Sequence, residues 1–443
     1  MSNIPLEVEK YLQKFGTGNW QLNFVLQEKI NNAIVIPAIS EFENLKKLIN
    51  SLCENDPKYF KSSLIIIVIN NLESSSREVK ADNQKSILLF KQLVQKKNLD
   101  NDSLIGKVLT SGLYFAFVDA SSNGKELPEK DGGVGLARKI GMDLALTAFD
   151  YSSSSKKLIF CLDADCTVDK NYIANIVVNF NSRNLSAAVV NFRHQIEPGN
   201  ENAEAIICYE IFLRYYVLGL KLANSHYAFH TIGSTIICDY ESYIKAGGMN
   251  KQKAAEDFYF LEKLAKNINV DMIEDTTVYP SSRKSWRVPF GTGQRVTRFL
   301  QKVQNEYLLY NPESFYILKQ WLKIFNGEEN FNSSEYLYES KKINIELYNF
   351  LIEQNFLNDW EKILLNSKTK DQIYKQKIRW FDGFRTLKLI HYLRDKSYPL
   401  MNMFDALDEM LKNFDIKSIE RNGISIPPIE IQIKYLELLR KLT

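Results

Sequence analysis

At 443 residues, with 45% hydrophobic and 25% charged residues, the chain has a globular composition and more length than one ordinary core uses, so two or more folded units are expected. Lys and Arg number 56 against 53 Asp and Glu, and the net charge of +3 excludes a general nucleic-acid binder and confines electrostatic roles to local clusters. The five cysteines (Cys53, Cys161, Cys166, Cys208, Cys238) lie mostly in apolar runs without Cys-x-x-Cys spacing, which excludes a disulfide framework and predicts reduced thiols in a cytoplasmic protein.

No basic stretch followed by an apolar run opens the chain, so no signal peptide is expected. Ala33-Ile34-Val35-Ile36-Pro37 is β-branched and ends at proline, which predicts a buried strand. Residues 41–52 carry apolar side chains at a 3.6 period and predict a helix. Residues 64–69 and 113–118 read as further strands, with an amphipathic helix between them within 74–97. A glycine-bearing loop over 121–135 leads into a helix over 136–148 and a fourth strand over 158–162. This alternation predicts an α/β fold with a doubly wound, mostly parallel sheet. The segment 205–223 is the nearest approach to a membrane span, but Glu210, Arg214 and Lys221 interrupt it and no transmembrane segment is expected. Its aromatics (Tyr209, Phe212, Tyr215, Tyr216) are expected to bury against the domain or a second copy in a homo-oligomer; the alternative is peripheral contact with the inner face of a membrane. From residue 305 onward, five segments with helical spacing predict an all-helical C-terminal region.

The fourth strand carries the most informative motif. Lys157 to Asp165 is an apolar run ending in two carboxylates, Asp163 and Asp165. Side chains two apart on a strand share a side, so both are expected to reach one hard cation, Mn²⁺ or Mg²⁺. A second acidic pair, Glu256-Asp257, opens a helical pattern. A metal–diphosphate site with a separate carboxylate is what sugar transfer from a nucleotide donor requires. Read blandly, the first pair is a capped turn and the second places charge at a helix start.

Four stretches in order resemble family 2 glycosyltransferases of the GT-A fold: residues 34–41 (Ile-Val-Ile-Pro-Ala-Ile-Ser-Glu), 133–141 (Gly-Val-Gly-Leu-Ala-Arg-Lys-Ile-Gly), 160–165 (Phe-Cys-Leu-Asp-Ala-Asp) and 254–259 (Ala-Ala-Glu-Asp-Phe-Tyr). Gly233-Ser234-Thr235 and Gly247-Gly248-Met249 resemble the family's acceptor-side strand and its following turn. The resemblance implies a GT-A domain over residues 1–304, with nucleotide-sugar binding over about 30–165 and the acceptor side over about 166–304, ahead of the helical region 305–443. It implies that Asp165 binds the divalent ion, that Asp163 holds the ribose or the ion's water shell, and that Asp257, beside Glu256, deprotonates the acceptor hydroxyl. Pro37, Ile39, Glu41, Asn70, Gly133 and Arg138 would line the nucleotide-sugar site. Between Arg283 and Lys302 stand six cations and no acid, with Pro289, Gly291 and Gly293 predicting a loop; Arg287 and Arg295 would reach the donor diphosphate.

Two departures bear on the donor. Ile39-Ser40 stands where the family often has Tyr-Asn, and Asn70-Asn71-Leu72-Glu73 where it usually has Asp-Asp-Gly-Ser, which leaves UDP and GDP both open as carriers. His226 and His230 are expected to be structural, a metal or phosphate contact being the alternative. The reading is a metal-dependent, inverting glycosyltransferase with a nucleoside-diphosphate sugar donor and a saccharide or lipid-linked glycan as candidate acceptors. The alternatives are a sugar nucleotidyltransferase, for which residues 33–50 offer only Lys46 and Lys47, and a non-catalytic nucleotide-binding module.

Overall fold

Runs of Ile and Val set the sheet. The computed structural model describes residues 4–24, 29–95, 103–196, 201–283, 291–417 and 419–443. Asn32–Ala38 (β1), Ser63–Asn70 (β2) and Tyr114–Ala120 (β3) pair in parallel, and β1 also pairs in parallel with Leu158–Cys161 (β4). Thr167–Val168 (β5), Ala187–Phe192 (β6), Ile236–Asp239 (β7) and Asp271–Tyr279 (β8) complete an eight-stranded sheet in the order β3-β2-β1-β4-β7-β6-β8-β5. β7 runs antiparallel to β4 and β6, and β5 antiparallel to β8; the other strands share one direction.

The helices, in chain order, begin with Leu6–Phe15 (α1), Phe42–Cys53 (α2), Arg77–Val94 (α3), Ser103–Ser111 (α4), Val134–Ala148 (α5) and Tyr172–Ser182 (α6). Ala203–Leu222 (α7), Tyr240–Lys245 (α8), Glu256–Ala265 (α9) and Thr292–Leu300 (α10) follow. The C-terminal helices are Pro312–Phe325 (α11), Ser333–Ile343 (α12), Ile345–Glu353 (α13), Phe356–Asn366 (α14), Lys370–Trp380 (α15), Gly383–Lys396 (α16), Met403–Lys412 (α17) and Ile429–Leu442 (α18). The α/β class, the doubly wound, mostly parallel sheet and the helical C-terminal region are those expected from the sequence. One correction applies: Leu308–Leu309 (β9) and Met401–Asn402 (β10) form a short antiparallel pair, with Met403 N–H donating to the Tyr307 carbonyl, so the C-terminal region is not wholly helical.

By packing, the described residues group into two units, and the grouping does not follow a single cut in the chain. The first holds residues up to Gln195 and Thr231–Ser281; the second holds Ile196–His230 and Gly291–Thr443. The 304/305 division drawn from the sequence is one of pattern, whereas α7 and α10 pack with the C-terminal helices.

In the first unit every residue of β1 and β2 is buried, as a sheet covered on both faces requires. Ile34, Ile36, Ile65, Ile67 and Ile69 share a core with α2, α3, α4 and α6. The opposite face lies under α5, where a Cβ on Gly141 would stand 2.4 Å from Val35 Cγ1 and 3.0 Å from Val68 Cγ2. Below α5 runs a buried polar network: Tyr11 and Tyr243 hydroxyls donate to Asp143 Oδ1 at 2.9 and 2.7 Å, and Lys139 pairs with Asp143 at 3.0 Å. Gly248 closes it, with φ +74° and a would-be Cβ 1.8 Å from the Tyr11 hydroxyl oxygen. Gly248→Ala is therefore expected to cost about 1–3 kcal/mol in backbone strain and about 1 kcal/mol for the displaced Tyr11 bond. A urea midpoint equal to that of the parent protein would refute this.

The second unit is built on aromatic rings. Trp321, Phe325, Tyr336, Phe356, Trp360 and Trp380 pack around one another, with Trp321 stacked on Phe325 at 4.9 Å. Gly219 brings α7 onto α11, since a Cβ there would meet the Phe315 ring at 2.4 Å. Of the aromatics of α7, Tyr215 is buried in this unit and Tyr209, Phe212 and Tyr216 are half-buried: the Tyr215 hydroxyl donates to the Tyr310 carbonyl at 2.7 Å, and Tyr216 packs on Tyr310 and Phe315. The charges that interrupt α7 are paired. Glu210 accepts from Arg214 at 2.8 Å and from Arg440 Nε and Nη2 at 2.7 and 2.9 Å, and Lys221 donates to the Leu442 carbonyl. Among the described residues no helix is long and apolar enough to cross a membrane.

Candidate functional site

The strand order reverses between β1 and β4, and α/β sheets bind ligands beyond the carboxyl ends of the strands at such a point. β4 stops at Cys161, and Asp163 and Asp165 stand on the turn beyond it, closed by Cys166 N–H donating to the Asp163 carbonyl at 3.1 Å. This corrects the expectation that both acids lie on the strand: their proximity comes from a turn, not from alternation along β structure.

Arg138, on the second turn of α5, is the centre of the site. Its side chain is 1% exposed, and its guanidinium donates through Nη2 to Asp163 Oδ1 at 2.5 Å and through Nη1 to Glu256 Oε1. Burial works against this charge, but Asp163 and Glu256 outweigh it and hold the guanidinium charged beyond its ordinary range. The space it fills exists because residue 233 is glycine: a Cβ there would sit 2.8 and 2.9 Å from the two terminal nitrogens.

Gly133 and Gly135, at the start of α5, allow another segment to approach closely. The segment leading into α9 runs directly over them: a Cβ on Gly133 would stand 2.9 Å from Lys253 Cα, and one on Gly135 2.3 Å from the Gln252 carbonyl oxygen. Asn250 Nδ2 in turn donates to the Glu256 carbonyl at 2.9 Å. The glycines thus let the start of α9, with Glu256 and Asp257, seat against the start of α5.

Asp257 follows Glu256 in the first turn of α9, and its Oδ1 accepts from Phe258 N–H at 2.8 Å. Burial raises its carboxyl to about 7, reinforced by repulsion from Glu256 and opposed by Arg138. Asp163, about a third of whose side chain stays exposed, is also raised, by desolvation of its carboxyl first and by the like charge of Asp165, against the pull of Arg138.

The ends of β1 and β2 are held by a residue the sequence reading passed over. Asn83, buried on α3, donates to the Asn70 carbonyl at 2.9 Å and to Asn71 Oδ1 at 2.8 Å, and accepts from Ser40 N–H at 2.9 Å. An Asn on the apolar stripe of a helix was the available signal. Asn70 Nδ2 donates to the Ala38 and Val68 carbonyls at 3.0 and 3.1 Å, which engages its donor side and leaves its side-chain oxygen, Oδ1, as the group suited to a base N–H. Pro37 is the penultimate residue of β1, Ile39 follows the strand's last residue, and Glu41, buried before α2, accepts from Asn44 at 2.6 Å.

The basic stretch divides. Arg287 and Lys284 lie outside the described residues. Arg295 and Arg298 belong to the second unit, where both pair with Glu306, Arg298 through two bonds at 2.9 and 2.7 Å. Gly293 lies inside α10, not in the loop expected there. His230 is buried in the second unit, and burial followed by Arg214 and Lys221 holds it well below its ordinary range, hence neutral.

Among the described residues no group of three or more His, Cys, Asp and Glu is placed to hold a metal ion. The pair Asp163–Asp165 still suits Mn²⁺ or Mg²⁺, which bind through one or two carboxylates and complete their shell with water and substrate phosphates.

No family model matches the chain, and no curated protein matches it. Among solved structures it is similar to S. aureus TarS residues 1–349 in complex with UDP-GlcNAc, at 13% identity and a TM-score of 0.38, over 87% of this chain and 92% of that one. It is also similar to the same S. aureus TarS fragment in complex with UDP, at 12% identity and TM-score 0.37, over 80% and 91% of the two chains. A third is glucosyl-3-phosphoglycerate synthase from Mycobacterium tuberculosis in complex with UDP, at 10% identity and TM-score 0.30, over 56% and 70%.

Proposed function

We propose that this protein is a metal-dependent, inverting glycosyltransferase that moves a sugar from a nucleoside-diphosphate donor of the UDP or GDP type to an acceptor hydroxyl. The observation that carries the reading is the convergence, around Arg138, of the turn bearing Asp163 with the helix start bearing Asp257, whose carboxyl titrates at about 7. A carboxylate with that affinity for a proton is matched to removing one near neutral pH.

Asp257 takes the proton as the acceptor oxygen bonds to the anomeric carbon and the bond from that carbon to the diphosphate oxygen breaks. Attack opposite the leaving group inverts the anomeric centre. Asp165 would hold Mn²⁺ or Mg²⁺, with Asp163 on the ribose or the ion's water shell; the ion would stabilise charge on the departing diphosphate. Pro37, Ile39 and the side-chain oxygen of Asn70, at the ends of β1 and β2, would face the nucleoside. Saccharides and lipid-linked glycans both remain acceptors for this chemistry.

Thermal-shift titration against UDP, GDP, CDP and dTDP, each with and without Mn²⁺, tests the donor class. Asp165→Ala is expected to weaken Mn²⁺-dependent nucleotide binding by about tenfold or more, roughly 1.4 kcal/mol per factor of ten, and to leave metal-free binding unchanged. An unchanged Mn²⁺-dependent dissociation constant would remove Asp165 as the metal ligand.

A further inference from the structure

We propose that Arg138 is a positioning residue that couples the donor half of the site to its acceptor half by dividing one guanidinium between Asp163 and Glu256. The proposal rests on the nucleotide-sugar reading for what engages Asp163.

The two carboxylates stand on different elements, one on the turn after β4 and one at the first residue of α9, and each takes a different nitrogen of the same fork. The fork has little room to swing elsewhere. Gly233 leaves it just enough space, and α5, which carries it, is anchored one residue on by the Lys139–Asp143 pair with Tyr11 and Tyr243. The carbonyls of Asn250 and Gln252 press against Gly135, so the start of α9 is fixed on the same helix.

A guanidinium shared in this way holds each acid less firmly for the presence of the other. Drawing Asp163 toward a ribose or a cation leaves the fork to Glu256 and tightens the helix start on which Asp257 stands. Neutralising Glu256 leaves the fork to Asp163, where it competes with a cation. The coupling is reciprocal, as binding linkage requires. Lysine presents one point charge in place of a planar fork and does not bridge both acids in this geometry.

The test is calorimetric affinity for Mn²⁺ with UDP, or with GDP where UDP does not bind, across wild type, Glu256→Gln, Arg138→Lys and the double variant. Glu256→Gln is expected to weaken binding about fivefold or more in the wild-type background, and less than about twofold when combined with Arg138→Lys. A purely structural or through-space effect of Glu256 would persist in both backgrounds. That result, or an unchanged affinity in Glu256→Gln alone, overturns the coupling. If the wild-type protein binds neither nucleotide with Mn²⁺, the nucleotide-sugar reading has failed on its own, and the coupling is read from urea midpoints instead. Losses from Asp163→Asn and Glu256→Gln should then be non-additive with Arg138 present and additive with Arg138→Lys; additive losses in the wild-type background overturn it.

Discussion

Asp257→Asn is expected to lower sugar transfer by about 10²–10⁴-fold, the usual contribution of a positioned base, while Mn²⁺-dependent nucleotide affinity stays within about twofold of the parent. Asn keeps an oxygen that can accept from Phe258 N–H, so the start of α9 should hold its shape. What it lacks is a site for the acceptor's proton. In the parent, activity should rise with pH through about 7 as burial and Glu256 release their hold on the Asp257 proton; the Asn variant should lose this limb. Stability runs the other way. The folded carboxyl lies above its ordinary value of 3.8, so its protonated form favours the fold below that value, and the contribution is lost as pH rises through about 7. The Asn variant, always neutral, should therefore be the more stable protein at pH 8 and show no such advantage at pH 4. Near-normal transfer by the variant, or an unchanged pH profile, would refute Asp257 as the base.

The parts of this fold legible in the sequence are those decided by local pattern. Continuous Ile and Val runs gave away β1 and β2, because strands buried on both faces carry no polar alternation. The acidic motifs were legible as residues but not as geometry: Asp163 and Asp165 stand on a turn, which a period-two argument does not anticipate. The partnership of Arg138 with Asp163 and Glu256 joins three distant segments, and its best local clue, Gly233, reads in isolation as an ordinary flexible residue. The helical unit shows the same division. α12 and α15 are polar and were passed over, although Asn332 with Glu335 and Thr369 with Gln372 form capping boxes that mark both starts. That α7 packs with helices a hundred residues later is a matter of which apolar face meets which, and periodicity does not specify partners.

Arg138→Met should have the largest effect on stability. Removing one partner of a buried ion pair leaves an uncompensated charge and typically costs about 3–5 kcal/mol. Methionine roughly replaces the stem of the arginine, and the vacated space beside Gly233 is small, so the loss should be electrostatic more than cavity-driven. The two acids will not suffer equally. Asp163 keeps 36% of its side chain exposed and can turn to water, whereas Glu256 is 7% exposed and cannot. The deficit should therefore be largest at pH 8 and shrink toward pH 4, where carboxylates take up protons. Pairing Arg138→Met with Glu256→Gln removes the stranded charge as well, and replacing both members of a buried pair is often close to neutral. Urea denaturation should accordingly show the double variant recovering more than half of the single variant's loss. A double variant no more stable than Arg138→Met alone would mean that the arginine supports the fold through packing, and that the charge balance among Arg138, Asp163 and Glu256 is not what holds α5, α9 and the β4 turn together.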